Sequence, residues 1–194
     1  MNGVIVIDKD ENMTSFDVVA KMRKICKTKK VGHTGTLDPD ATGVLPVCIG
    51  NATRAADIMT GADKKRYRAL MRLGSATDTF DASGKVTLTG DASIIKDGAI
   101  ESAVEAFRGE IMQVPPMYSA IKHGGQKLYQ LAREGKTVEL EPRSVKIHSL
   151  EILGRNGNDV TLDIICSKGT DIRSLCNDIG EKLGSFAHMA ALRR

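Results

Sequence analysis

Apolar residues along the chain switch between two periods, and the switches mark its elements. Val4 to Ile7, bounded by Gly3 and Asp8, is a continuous apolar run that predicts a short buried strand. Asp10-Glu11-Asn12 interrupts it. Thr14 then reads as a helix N-cap with Asp17 three residues on, and Val18, Val19, Met22, Ile25 and Cys26 follow at helical spacing. From Gly32 to Pro46 no period survives. Val44 to Ile49 is again strand-like, and Ala52 to Thr60 predicts a short helix. Lys65 to Leu73 alternates, with Tyr67, Ala69, Met71 and Leu73 on one face and Arg66, Arg68 and Arg72 on the other. Ile100, Val104 and Phe107 give an amphipathic helix over 99–107. The pattern becomes irregular from Val114, around one short helix. Residues 143–153 and 159–166, joined through Asn156-Gly157, predict a hairpin. Ser167-Lys168-Gly169-Thr170 then opens a helix that carries Ile172, Leu175, Cys176, Ile179 and Leu183, with Arg173 in its first turn.

Strands and helices are interspersed without regular βαβ alternation. That predicts an α+β fold with a mixed, largely antiparallel sheet flanked by helices. No internal repeat or low-complexity linker divides the chain, so one domain over 1–194 is the economical expectation.

Composition narrows the class. The chain has 194 residues, 41% hydrophobic and 27% charged, enough for a substantial core. No apolar run reaches the length of a membrane span, and Met1-Asn2-Gly3-Val4 lacks the basic and apolar regions of a signal peptide, so a cytoplasmic protein with no membrane partner is expected. Cys26, Cys48, Cys166 and Cys176 show no Cys-x-x-Cys spacing and read as reduced, mostly core-filling thiols. Four scattered His residues form no metal pattern, and no metal is expected. Net charge is +4, but its distribution matters more. Lys21, Arg23, Lys24, Lys27, Lys29 and Lys30 run without an acid between them, and Lys64-Lys65-Arg66-Tyr67-Arg68 forms a second cluster. Such runs are either solvated faces or a footprint for a polyanion such as RNA.

The aperiodic stretch Gly32-His33-Thr34-Gly35-Thr36-Leu37-Asp38-Pro39-Asp40-Ala41-Thr42-Gly43-Val44-Leu45-Pro46 is where chemistry is expected. Its glycines and prolines exclude a helix, and Pro39 pushes Asp38 toward an extended conformation. A single carboxylate on a shaped loop is a candidate nucleophile or general base. Plain turn punctuation is the competing account. Asp78 and Asp81, in the Gly/Ser-rich stretch 74–84, read as turn residues rather than a cation site.

The wording of this stretch resembles the signature of the bacterial TruB-type tRNA pseudouridine synthases, which act on a uridine of the tRNA TΨC loop. The resemblance covers nearly the whole chain. It implies the pseudouridine synthase fold, with a mobile thumb insertion at about 115–145, rich in Lys, His and Tyr residues suited to RNA. It implies Asp38 as the catalytic residue, Tyr67 as the aromatic that stacks on the target base, and His33 as a group that holds the flipped arrangement in the T loop. Ser167-Lys168-Gly169-Thr170-Asp171-Ile172-Arg173 resembles the family's Ser-Lys-Gly-Thr-Tyr-Ile-Arg, whose Arg pairs with the catalytic Asp; the match is Arg173. Asp171 stands where the family has a substrate-contacting Tyr, so that role does not carry over. Leu192 matches a Leu lining the family's uridine pocket. The chain stops at Leu192-Arg193-Arg194, where family members continue into a small C-terminal RNA-binding domain that nothing here resembles, so a C-terminally truncated form is expected.

Uridine and pseudouridine are isomers, so the resemblance implies no cofactor. The expected partner is the T arm of tRNA, with no protein partner and a monomeric chain. Two other classes stay open: a tRNA-binding or tRNA-folding protein without useful turnover, and a metal-dependent hydrolase using Asp38 with Asp40 or Asp78.

Overall fold

The computed structural model describes residues 1–194 except Ala62, Asp63, Ala120, Ile121 and Thr137, and except the side chains of Lys122, His123, Tyr129 and Arg133. The chain divides into two compact units, one of Met1–Arg68 with Leu192–Arg194 and one of Ala69–Ala191.

The first unit opens with β1 (Gly3–Lys9), α1 (Ser15–Ile25), β2 (Val31–His33) and β3 (Gly43–Ile49). A 3-10 turn (Gly50–Ala55) leads into α2 (Ala56–Thr60), so the helix expected over 52–60 is split between two helix types. β4 (Lys64–Leu73) begins in this unit. The sheet has the order β1-β3-β2 and both pairings are antiparallel. Thr14 caps α1 as its spacing predicts. Its hydroxyl accepts from Asp17 N at 3.1 Å, and the Asp17 carboxylate accepts from Thr14 N at 2.8 Å. Val18, Val19 and Met22 then face a core with Val31, Leu37, Leu45, Val47 and Ile49. β1 differs from expectation: Val4, Ile5 and Val6 are 47%, 40% and 62% exposed. The strand lies at the sheet edge and pairs on one side only, which an apolar run cannot reveal.

The second unit takes up β4 at Ala69 and continues with β5 (Ser75–Thr77), β6 (Val86–Thr89), α3 (Asp97–Glu105) and β7 (Gly109–Gln113). Then come β8 (Lys122–His123), β9 (Gln126–Lys127) and α4 (Leu128–Arg133), followed by β10 (Arg143–Asn156), β11 (Asp159–Ser167), α5 (Ile172–Lys182) and β12 (Ala187–Arg193). Its main sheet has the order β12-β4-β11-β10-β7. The predicted hairpin is β10–β11, closed by Gly157, at φ 59°, and Asn158, with Ile147 opposite Cys166 and Ile152 opposite Leu162. Two register shifts interrupt it. Ile100 and Val104 of α3 are buried, as are Leu175, Cys176 and Ile179 of α5. The alternation read for β4 is present, with Ala69, Met71 and Leu73 buried and Arg72 paired to Asp159 at 2.7 Å. The expected thumb region holds β8, β9 and α4, with Leu128 and Leu131 buried. Its Lys122, His123 and Tyr129 side chains, singled out for RNA contact, lie outside the described residues.

Candidate active site

The loop between β2 and β3 carries Asp38, and it is fixed through its backbone. Asp38 O accepts from Ala41 N at 3.1 Å, closing a four-residue turn with Pro39 at the second position, where its fixed φ fits. On one side of Asp38, Leu37 is held by Ser15, the first residue of α1. Ser15 Oγ accepts from Leu37 N at 2.9 Å and donates to Leu37 O at 3.1 Å. On the other side, Pro39 O accepts from Lys9 Nζ at 2.9 Å. The same ammonium donates to Asp10 O at 2.8 Å and Met13 O at 2.7 Å. Lys9 is 1% exposed. Burial pushes its pKa below the usual lysine range, while the negative charges of Asp40 and Asp38 act in the opposite sense.

A third clamp comes from the chain end. Arg194 N donates to Thr42 O at 3.0 Å, and Val44 N donates to Arg194 O at 3.1 Å. The guanidinium donates to Val44 O at 2.8 and 2.9 Å and to Gly35 O at 3.2 Å. Gly43, at φ 103°, is required here, because a Cβ would run into Arg194 O. Leu192 O accepts from Thr42 N at 2.9 Å, and the Leu192 side chain packs against the cluster containing Leu37 and Ala41. Asp38 itself is half-buried.

His33 sits at the end of β2, half-buried. Burial, and secondarily the Arg194 charge, hold its pKa below the usual histidine range, so the ring is neutral near pH 7. Its Nδ1 is buried and has no hydrogen-bond partner among the described residues. Tyr67 lies on the part of β4 in this unit, half-buried and in phase with Ala69 and Met71.

The second unit holds the other predicted site residues. Asp171 is the N-cap of α5, and its Oδ1 accepts from Arg173 N at 3.0 Å and Ser174 N at 3.3 Å. The same carboxylate takes the fork of Arg173, with Nε at 3.3 Å and Nη2 at 3.0 Å. Arg173 Nη1 donates to Tyr118 O at 3.0 Å and lies 3.7 Å from Asp81 Oδ2. Both side chains of the Asp171 pair are nearly buried, at 14% and 10% exposed. Gln113 makes reciprocal bonds to the Asp171 backbone, and Ser174 Oγ donates to Val114 O at 2.9 Å. The start of α5 is thus stitched to the end of β7 and to Tyr118. Asp81 also serves the turn expected of it, accepting from Thr79 Oγ1 and Ser83 N. No group of three or more potential metal ligands occurs among the described residues.

Residues 23–172 match the model of the TruB family pseudouridylate synthase N-terminal domain. The chain belongs to the TruB family. Residues 173–194 match a second model, that of the tRNA pseudouridylate synthase B C-terminal domain, a likeness the sequence reading did not find. The tRNA pseudouridine synthase B of Clostridium perfringens strain SM101 is 54% identical over 195 residues, spanning 100% of this chain and 66% of that protein. Its counterpart in Francisella philomiragia is 47% identical, spanning 100% of this chain and 64% of that protein. The chain therefore spans about two thirds of the length of these curated TruB relatives. Among solved structures, a Cbf5-Nop10-Gar1 complex contains a chain 36% identical with a TM-score of 0.76, covering 99% of this chain and 47% of that one. An H/ACA RNP bound to a substrate RNA containing 2'-deoxyuridine gives 33% identity and a TM-score of 0.73, with 99% and 46% covered. These neighbours agree with the expected α+β pseudouridine synthase fold.

Sequence reasoning missed Lys9, Ser15 and Arg194. The only local signal was Lys9, a lysine in phase with the apolar run before it.

Proposed function

We propose that this chain carries the catalytic part of a tRNA pseudouridine synthase and converts a uridine of the T loop to pseudouridine, with Asp38 as the essential group. The observation that carries the reading is the immobilised loop. Leu37 and Pro39, the residues on either side of Asp38, are each held by a buried side chain from another element. A carboxylate held this way is placed before substrate arrives, as positioning catalysis requires.

The reaction breaks the N1–C1′ bond, turns the base, and joins C5 to C1′. N1 gains the proton that C5 loses, so atoms balance with no co-reactant. Extruding the base costs about a few kcal/mol. By resemblance, the half-buried Tyr67 stacks on the target base, and the neutral His33 ring helps hold the flipped arrangement in the T loop. In the family that Ser167–Arg173 resembles, the matching Arg orients the catalytic Asp, which proposes Arg173 for that role here. In this chain Asp171 takes the fork of the Arg173 guanidinium. Leu192 supplies apolar surface beside Leu37. No cofactor or metal enters this chemistry. The reading places the protein in the cytoplasm with tRNA, as a monomer needing no protein partner. That distinguishes it from the relative found in a Cbf5-Nop10-Gar1 complex.

The fork of Arg173 on Asp171 favours a second reading, tRNA binding with little turnover. Incubation of the purified chain with unmodified tRNA transcript, followed by mapping of pseudouridine, separates the two. Product at one T-loop uridine is expected, and its absence despite tight binding selects the second reading. Asp38→Asn should abolish product while leaving tRNA affinity within a few-fold. Turnover near the parent level would remove Asp38 from its role.

A further inference from the structure

Helix α1 carries surface features that neither the core nor the Asp38 loop uses. Phe16, in its first turn, is 61% exposed. Arg23 lies over the ring, its guanidinium carbon 5.5 Å from the centroid, within cation–π range. Phe16, Ala20 and Arg23 fall on one side of the helix by their spacing. The positive charge continues beyond the helix end. Lys24, Lys27, Lys29 and Lys30 are exposed, and Lys27 follows the C-cap Cys26 with φ 50°. Glycine or asparagine usually takes that position, because other residues are strained at positive φ. The nearby acid, Asp17, is engaged by Thr14 N and Oγ1.

Cations near a helix C-terminus complement its dipole, which accounts for Arg23 and Lys24. That effect does not extend to Lys29 and Lys30, and it gives no reason for an exposed phenyl ring held under a guanidinium. The stripe is also tied to the catalytic loop, since Ser15, next to Phe16, is the residue that grips Leu37. Eleven helical residues at about 1.5 Å rise span about 16 Å, enough for several successive phosphates of one strand.

We propose that this face of α1, with Phe16, Lys24, Lys27, Lys29 and Lys30, is a second RNA-contact surface. Its ammonium groups hold backbone phosphates, and Phe16 stacks on a base or ribose beyond the nucleotide at Asp38. The inference rests on the reading that the chain acts on tRNA. A flat aromatic beside a row of cations suits an unpaired stretch of nucleic acid, which offers both phosphates and exposed base faces.

The test measures affinity for unmodified tRNA transcript across a range of salt concentrations. The triple variant Lys24→Gln, Lys27→Gln, Lys29→Gln should lower the slope of log affinity against log salt by about two to three, as each lost phosphate contact removes about 0.7–0.9. Phe16→Ala should weaken binding about five-fold or more at fixed salt. Melting temperatures serve as the folding control, and all four substituted positions are exposed. An unchanged slope in the folded triple variant would mean that the stripe faces solvent or an acidic protein, and the inference is wrong. If the parent converts tRNA while the variants bind as it does, only this surface is refuted. If the parent neither binds nor converts tRNA, the underlying reading fails and this one with it.

Discussion

Replacing Lys9 by Met tests whether the Asp38 loop is held as the structure indicates. The substitution nearly preserves volume, so it opens no large cavity in a position that is 1% exposed. It removes every donor to Asp10 O, Met13 O and Pro39 O that the ammonium supplies. A buried acceptor left unmet costs about 1–3 kcal/mol. Asp10 and Pro39 are exposed and Met13 is half-buried, so their carbonyls can recruit water, which holds the loss toward the low end of that range. Relief of the buried charge offsets part of it. The net destabilisation should be about 1–3 kcal/mol, which lowers the melting temperature by about 2–12 °C for a chain of this size. Activity should suffer more than stability. With Pro39 free to move, Asp38 loses one of its two flanking anchors, and a displacement of about 1 Å at a reacting group can lower a rate about 100-fold. The assay is single-turnover release of the C5 hydrogen from tritium-labelled uridine in tRNA, well below the variant's melting temperature, with affinity measured alongside. A rate within three-fold of the parent, in a folded and less stable protein, would show that Lys9 supports the fold and not the placement of Asp38.

Three further outcomes follow from the same geometry. Because burial depresses the Lys9 pKa, the unfolded chain binds more protons between that lowered value and 10.5, so the parent should gain stability as pH rises through that window and Lys9→Met should not. Burial raises the Asp178 pKa to about 6, so its contribution is most favourable below the unfolded value of 3.8 and is lost as pH rises through about 6. Asp178→Asn should therefore raise the melting temperature at pH 7 and lose that advantage near pH 4, and an equal effect at both would exclude titration as its cause. Asp171→Tyr should increase the single-turnover rate on tRNA while lowering stability by about 0.5–2 kcal/mol through loss of the α5 N-cap. An unchanged rate with that loss of stability would strike Asp171 from the site.

Much of the fold was legible because its signals are local. The Thr14–Asp17 box, the alternation of β4 and the β10–β11 hairpin each concern residues a few positions apart; the first two have their expected geometry, and the hairpin forms with its turn one residue later, at Gly157-Asn158 instead of Asn156-Gly157. The exposure of β1 was not legible. Val4 to Ile7 has the same composition whether a strand is central or at an edge, and only the order β1-β3-β2 decides it. The split of 50–60 into a 3-10 turn and a short helix also lacks any clear sequence marker.

The candidate site divides along the same line. Glycines and prolines announce the Asp38 loop, but the groups that hold it bind backbone atoms across long separations: Ser15 to Leu37, Lys9 to Pro39, and Arg194 to Gly35 and Val44. A carbonyl has no residue identity, so such partners leave no motif to read. Asp171 shows the opposite limit. Its departure from the family's Tyr is visible in the sequence, but the role it takes instead is not. In the structure Oδ1 accepts from the Arg173 and Ser174 amides, while the two oxygens together take the guanidinium fork. One carboxylate can do this because capping uses the amides at the start of α5, and Arg173 folds back over that same turn. Loss of the cap and release of the guanidinium therefore cannot be separated by removing Asp171 alone. Asp171→Asn keeps a capping oxygen and removes the negative charge. If competition for Arg173 limits the rate, Asp171→Asn should share the gain of Asp171→Tyr and keep more of the parent's stability. A gain confined to Asp171→Tyr would instead credit the aromatic surface.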